Sequence, residues 1–310
     1  MRAVSLEDYL RELVDSSTPL AAARLVNLSS LVPDEASAFE EAWRGADVHR
    51  RRQVMRQLIE LTEDNVELNF DAVFRVGLSD SDAEVRRFGI RGLWEYEGRD
   101  LIPTLVALLL TDADQAVRVE AALGLGRYAL KAEFDKIRAS DASIVDDALR
   151  RAIADPEQTT EVKARAVEAV GARSQPWVLQ VIEDAYHSDQ HRLQVSALHA
   201  MGRNCDARWL TTLVRELKSD DAEMRYEAAT ACGFLGDEVT VPHLQPLLKD
   251  DDTEVQEAAI QALGEIGGQE AKRALEDCLA SPEERVRAAA LAAIAELDFG
   301  EDPLAFKPRG

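Results

Sequence analysis

The feature that most constrains this chain is an internal repeat. Val162, Leu193, Met224, Val255 and Val286 stand 31 residues apart. Going back, Val117 precedes Val162 by 45 residues, Val85 precedes Val117 by 32, and Arg50 precedes Val85 by 35 at the head of a looser unit. The long step is one period plus 14 residues, which places an insertion near Lys131–Ile144. A fixed period of this size makes the whole fold a stack of small units, each too small to bury its own apolar face.

Counted from each anchor, the fourth residue is always small: Gly89, Ala121, Ala166, Ala197, Ala228, Ala259 and Ala290. The seventh is small again, and the eighth is apolar (Leu93, Leu125, Val170, Met201, Cys232, Leu263, Ile294). Offsets 0, 4, 7, 8 and 11 fall on one arc at 100° per residue, so the segment is a helix with one buried stripe. Glycine recurs at offset 9 as Gly126, Gly171, Gly202, Gly233 and Gly264. A mid-helix glycine costs about 1 kcal/mol relative to alanine, so close helix packing is the expected compensation.

Ahead of the anchors lie helix-start signals, Asp80-Ser-Asp, Asp112-Ala-Asp, Ser219-Asp-Asp, Asp250-Asp-Asp and Ser281-Pro-Glu-Glu. Their side chains can cap free backbone N–H groups and suit the positive end of the helix dipole. Before each runs a shorter apolar helix such as Leu101–Leu110 or Val239–Leu248, with Pro103 and Pro242 in the first turns, where a missing N–H is tolerated. Two helices per unit predict an all-α, right-handed α-solenoid of about eight to nine hairpins, curved and without β-sheet. The expectation is one solenoid over 1–310: divergent N-terminal repeats and cap over 1–79, regular repeats over 80–297, and a non-helical tail over 298–310. Ser5–Asp15 and Pro19–Leu31 are expected as capping helices, with Phe299 and Phe306 covering the last repeat.

The blocks AVRVEAALGLG (116–126), MRYEAATACGFLG (224–236), EVQEAAIQALGEIG (254–267) and RVRAAALAAIAEL (285–297) resemble HEAT repeats, most closely the short bacterial, phycobilisome-lyase-like type. The resemblance implies fold rather than activity, because the recurrent pattern encodes packing. HEAT-like enzymes that hold two irons use His-Glu pairs on their inner helices. Here the corresponding positions carry Val119-Glu120, Tyr226-Glu227, Glu257-Ala258 and Ala288-Ala289, and no His-Glu dipeptide occurs.

Charge narrows the partners. Lys and Arg total 36 against 58 Asp and Glu, a net charge of −22, which repels phosphate backbones and argues against nucleic acid. The longest apolar runs, Leu105–Leu110 and Ala288–Ala295, are far short of the ~20 residues that span a bilayer, so no membrane role is expected. Residues 1–30 have no apolar signal segment. Cys205, Cys232 and Cys278 fit neither a disulfide framework nor a zinc knuckle, so a cytoplasmic protein with reduced thiols is expected. His187, His191 and His199 surround Asp189, but a turn separates the first two, and His191 and His199 lie about 80° apart around the helix. No metal, cofactor or catalytic residue is expected.

The cations at offset 1 (Arg86, Arg118, Lys163, Arg225, Arg287) border the buried arc and predict a ladder with turn carboxylates such as Asp80, Asp112 and Asp220. Offsets 2, 3, 6 and 10 lie opposite the buried stripe, on the side that lines the concave face in HEAT stacks. Over eight units they carry seven cations and eight acids, with the cations ending at Arg203. Apolar and aromatic residues punctuate this face in the manner of an interface. The candidate partner-binding set is Arg87, Phe88, Arg91, Leu123, Arg127, Arg165, His199, Arg203, Tyr226, Glu227, Phe234, Glu257, Gln261 and Glu265. The functional expectation is a non-catalytic scaffold that binds a protein or peptide of opposite charge polarity along the concave face. The alternatives are a phycobilin-lyase-like or other prosthetic-group-handling protein, and a self-associating structural protein.

Overall fold

The computed structural model describes residues 5–301, and among them there is helix and turn but no strand. Contacts divide the chain into two compact units, residues 1–128 with 137–152, and residues 129–136 with 153–310. The division falls at the insertion.

In the second unit the second helices of successive repeats pack each on the next: Thr160–Val170, His191–Asn204, Ala222–Leu235, Thr253–Ile266 and Glu284–Glu301. The first helices, including Pro176–Tyr186, Leu210–Glu216 and Gly268–Cys278, flank them. The offset-4 alanines are fully buried throughout, Ala166 to Ala290. The offset-9 glycines explain the spacing. A Cβ on Gly171 would lie 2.9 Å from Cα of Ala200, and one on Gly202 would lie 2.7 Å from Cα of Ala231. On Gly233 it would lie 3.0 Å from Cα of Ala262, and on Gly264 3.0 Å from Cβ of Ala293. Each of these four offset-9 glycines is thus the seat for the offset-7 alanine of the next repeat.

The DxD turns work in two steps. The second aspartate caps its helix: Asp82 accepts from Val85 N–H at 3.1 Å, Asp114 from Ala116 and Val117, and Asp252 from Glu254 and Val255. The first aspartate accepts from the backbone of the second, 2.8–2.9 Å at Asp80, Asp112 and Asp250. This closes a small turn before the helix begins.

The first unit stacks Val48–Asp64 against Ala83–Gly92, with Asp71–Gly77 behind. Its anchor Arg50 is buried, and its guanidinium donates to the carbonyls of Asp15 and Thr18, which accounts for the looser repeat there. Leu6–Val14 is the expected first helix, capped by Ser5, but Pro19–Leu31 contains only the 3₁₀ segment Ala22–Leu28. A second departure is at Val239–Leu248. Helix Val241–Leu244 gives way to 3₁₀ geometry over Gln245–Lys249, since Pro246 removes a donor and its ring crowds the carbonyl four residues back.

The insertion lengthens helices. Gln115–Glu133 runs 19 residues where Ala222–Leu235 and Thr253–Ile266 run 14, and Ala139–Ala154 follows with 16. Between them Asp135 is left-handed (φ 54°) and Lys136 N–H bonds the carbonyl of Lys131, a tight helix close that leaves Phe134 exposed. At the other end, Glu284–Glu301 extends the last helix into the stretch expected to be a non-helical tail, taking Gly300 into its last turn. The expectations for residues 302–310, Phe306 included, lie outside the described residues, as does the side chain of Phe299.

Candidate interaction surface

The ladder at offset 1 forms in part, with rungs at Arg86 and Arg225 and a further one at Arg51, while Arg118 and Arg287 bond carbonyls of their own turns. Arg86 holds Asp112 through two bonds of 2.8 and 2.7 Å, Arg225 holds Asp250 through bonds of 2.7 and 2.8 Å, and Arg51 lies 3.5 Å from Asp80. Nη1 of Arg86 and of Arg225 also donates to two carbonyls of its own turn. The partner is therefore the aspartate of the following repeat. Asp220 supplies only its carbonyl, and Arg225 reaches Asp250 instead. These guanidiniums hold the carboxyls of Asp250 and, at the Arg52–Asp82 pair, Asp82 below the usual carboxylate range.

The second-helix face of the first unit carries Arg87, Phe88, Arg91, Leu123 and Arg127. Its cations are engaged: Arg87 and Arg91 converge on Glu120, at 3.5 and 2.5 Å, and Arg56 pairs with Glu84 while lying over the Phe88 ring. Leu123 is half-buried. Arg127 stacks over Trp94 at 4.9 Å and donates to the carbonyl of Leu93, while Nε and Nη2 are buried without an acceptor. Burial draws its pKa down. Beside this cluster opens a pocket of about 750 Å³ walled by Phe70, Phe74, Phe88, Trp94 and Tyr96, with Arg56 and Arg91 at its edge. Trp94 is 56% exposed and Val66, on the same wall, 88%. Tyr96 lies under Arg75 and donates to Asp100, a bond that raises the phenol's pKa.

Trp94, Val66 and Tyr96 are absent from the sequence-derived set, yet Trp94 had a signal. It occupies offset 9, where five other repeats carry glycine. The indole fits because helix Ala83–Gly92 ends two residues earlier, which takes position 94 out of the helix-packing seam.

In the second unit the face divides into local pairs. Arg165 bonds Glu161 and Glu168, and Arg192 bonds the same two carboxylates, with Ser196 Oγ donating to Glu168 at 2.7 Å. His199 lies 3.5 Å from Glu227, Arg203 stacks over Phe234 at 5.8 Å, Glu257 pairs with Arg285 at 3.0 Å, and Gln261 bonds Glu265 at 2.9 Å. Tyr226 and Phe234 are exposed aromatics here. The helical-wheel count overstated free positive charge, because it left out the carboxylates Asp82, Glu84 and Glu161 at the helix starts, whose side chains reach the face.

Of the remaining candidates, His191 lies 3.1 Å from Asp221, and burial pushes the Cys232 thiol up to about 12. Among the described residues no group of three or more His, Cys, Asp or Glu side chains could hold a metal ion, and no helix is long and apolar enough to cross a membrane.

Comparison with solved structures finds the CpcE–CpcF complex of the phycocyanin lyase of Nostoc sp. PCC7120, 17% identical with a TM-score of 0.50 over 91% of this chain and 97% of that one. YibA of Escherichia coli is 19% identical, TM-score 0.47, over 79% and 96%. Human deoxyhypusine hydroxylase is 17% identical, TM-score 0.36, over 94% and 97%. At such identities the likeness is one of fold. No match to a functionally curated protein was found. The model of the family described as HEAT repeats matches residues 72–155 and 210–295, more than half of the chain, which takes in the anchors Val85, Val117, Met224, Val255 and Val286 and the glycine seats Gly233 and Gly264. This chain belongs to the HEAT-repeat family.

Proposed function

We propose that this chain is a non-catalytic scaffold that binds a protein or peptide through the second-helix faces of its repeats. The observation that carries the reading is the aromatic pocket of the first unit. A tryptophan left more than half exposed under an arginine, lining a 750 Å³ opening that an exposed valine also lines, matches the apolar anchor of an interface better than ordinary surface. Tyr226 and Phe234 offer smaller anchors of the same kind in the second unit. The arginines are engaged with neighbouring acids or rings, so the apolar anchors rather than a charge gradient supply the affinity.

That changes the informative mutations. Reversing Arg87 and Arg91 would strip Glu120, a buried carboxylate, of its partners and confound binding with folding. Trp94→Ala with Val66→Ser removes mostly exposed apolar surface, and within the fold it gives up only the stacking contact with Arg127. The partner co-purifying with the parent chain is expected to bind this variant at least about tenfold more weakly, the loss of a central anchor. A Glu40→Lys, Glu41→Lys control on the exposed face of helix Pro33–Arg44 should bind as the parent does. Equal retention by both variants would refute the assignment. A stoichiometric visible chromophore on the purified chain would instead favour prosthetic-group handling, the role of the lyase whose fold it shares.

A further inference from the structure

The turn seam between successive repeats is closed in some places and open in others. At Arg51, Arg86 and Arg225 the following repeat offers Asp80, Asp112 or Asp250, and the pair forms a rung. Where it is Lys163, Gln194 or Gln256, the corresponding position is Ser188, Ser219 or Ser281. The two halves of the rung are replaced together.

The glutamines retain half of the arginine's work. Nε2 of Gln256 donates to the carbonyl of Asp250 at 2.6 Å, and Nε2 of Gln194 to that of Ser188 at 2.8 Å, the bond Nη1 makes in the rungs. Ser219 and Ser281 likewise keep the turn bond of the first aspartate, accepting from Asp221 and Glu283 N–H at 3.3 and 3.2 Å. What is missing is the guanidinium fork and the carboxylate that received it. At both steps a pocket opens in their place, about 480 Å³ around Gln194 and Ser219 and about 1120 Å³ around Gln256 and Ser281. The larger one has an unmet demand. Gln256 is only 8% exposed, and its Oε1 is buried without a donor. The walls carry Asp250, Asp251, Glu270, Asp277 and Glu283 against Lys249 and Arg273, so the pocket is net acidic even with Asp250 engaged by Arg225.

We propose that this pocket receives a guanidinium group presented by an arginine side chain of a peptide partner, which supplies the missing rung. A planar fork with five donors can reach the buried carbonyl oxygen of Gln256 and face the surrounding carboxylates at once, where a compact ammonium serves fewer acceptors in one plane. The inference takes from the scaffold reading only the peptide source of the arginine. It concerns the turn seam and not the aromatic pocket.

The test is calorimetric titration of the full chain with N-acetyl-argininamide, N-acetyl-lysinamide and N-acetyl-citrullinamide, and with a capped pentapeptide of alanines around one arginine. The arginine amide and the pentapeptide should bind, the lysine amide several-fold more weakly, and the isosteric, uncharged citrulline amide not at all. Ser281→Asp restores the acceptor and should tighten binding about tenfold. Adding Gln256→Arg to it fills the pocket with an internal rung and should abolish binding. Should that double variant fail to fold by circular dichroism, Gln256→Met removes the acceptor at similar volume and should weaken binding at least about fivefold. Equal binding of the arginine and citrulline amides, or binding that survives these substitutions in a folded chain, overturns the proposal. Binding of the free amide but not the pentapeptide overturns the peptide source. Loss of partner binding in the Trp94 variant with these titrations unchanged would separate the two sites.

Discussion

Leucine in place of Gly202 is expected to lower stability by about 3 kcal/mol, read as a fall in the urea midpoint at unchanged slope. Gly202 sits in the last turn of His191–Asn204, where helix propensity alone still favours almost any other residue, by up to ~1 kcal/mol. Packing reverses that preference. A Cβ there would lie 2.7 Å from Cα and 2.9 Å from Cβ of Ala231, so the neighbour that must move is backbone. Even Gly202→Ala should destabilise, because overpacking costs about 1–3 kcal/mol against the propensity gain. Gly45 is the contrast. It is exposed at the end of Pro33–Arg44 with φ −87°, and its Cβ would meet nothing nearer than the carbonyl of Ala42 at 3.5 Å. Gly45→Ala should leave stability unchanged or raise it by about 0.4–1 kcal/mol. Equal effects at both positions would mean that the glycine row does not seat the next repeat.

Arg225→Met is expected to cost about 2 kcal/mol at pH 7, the order of a charge-assisted, two-pronged bond between largely buried partners. The substitution keeps much of the aliphatic stem's packing while leaving the Asp250 carboxylate without its cation, and the carbonyls of Ser219 and Asp220 without a donor. The pH dependence has a definite sign. Bonding to Arg225 lowers the Asp250 pKa in the folded chain below its ordinary 3.8. The rung's contribution is therefore complete above that ordinary value and is lost as pH falls through the lowered one. Parent and variant should differ fully near neutrality and begin to converge only as pH falls below the ordinary 3.8, towards the lowered value. A difference of constant size from pH 7 to pH 3 would show that the variant's loss is one of packing rather than of the ion pair.

Much of this was legible before any coordinates. The recurrence of small residues at offsets 4 and 7 specifies the buried stripe, and the DxD strings specify where each second helix starts, because both are properties of a few neighbouring residues. Local chemistry also explains where the reading slipped. Pro246 breaks a helix that the apolar pattern alone would continue, and the last helix runs on to Glu301 because a single glycine, Gly300, weakens a helix by only about 1 kcal/mol. The interaction face was read less well. Its charges were assigned by position on a helical wheel, and a wheel cannot show that Glu84 reaches Arg56 or that Glu120 draws in both Arg87 and Arg91.

The sequence by itself determined the unit: its period, its two helices, its caps and the glycine at which the next unit is seated. These follow from residues within one turn or one period of each other, whose geometry is set by helix pitch and backbone hydrogen bonding. Only the tertiary structure decided what happens between units. Arg86 chooses Asp112 of the following turn, the insertion becomes two longer helices, Trp94 escapes the packing seam, and Gln256 is left with an unfilled acceptor beside a pocket. The Arg86 rung and the unfilled Gln256 acceptor depend on the register between helices some thirty residues apart. That register is fixed by side-chain volumes meeting across the seam, a quantity no single repeat contains.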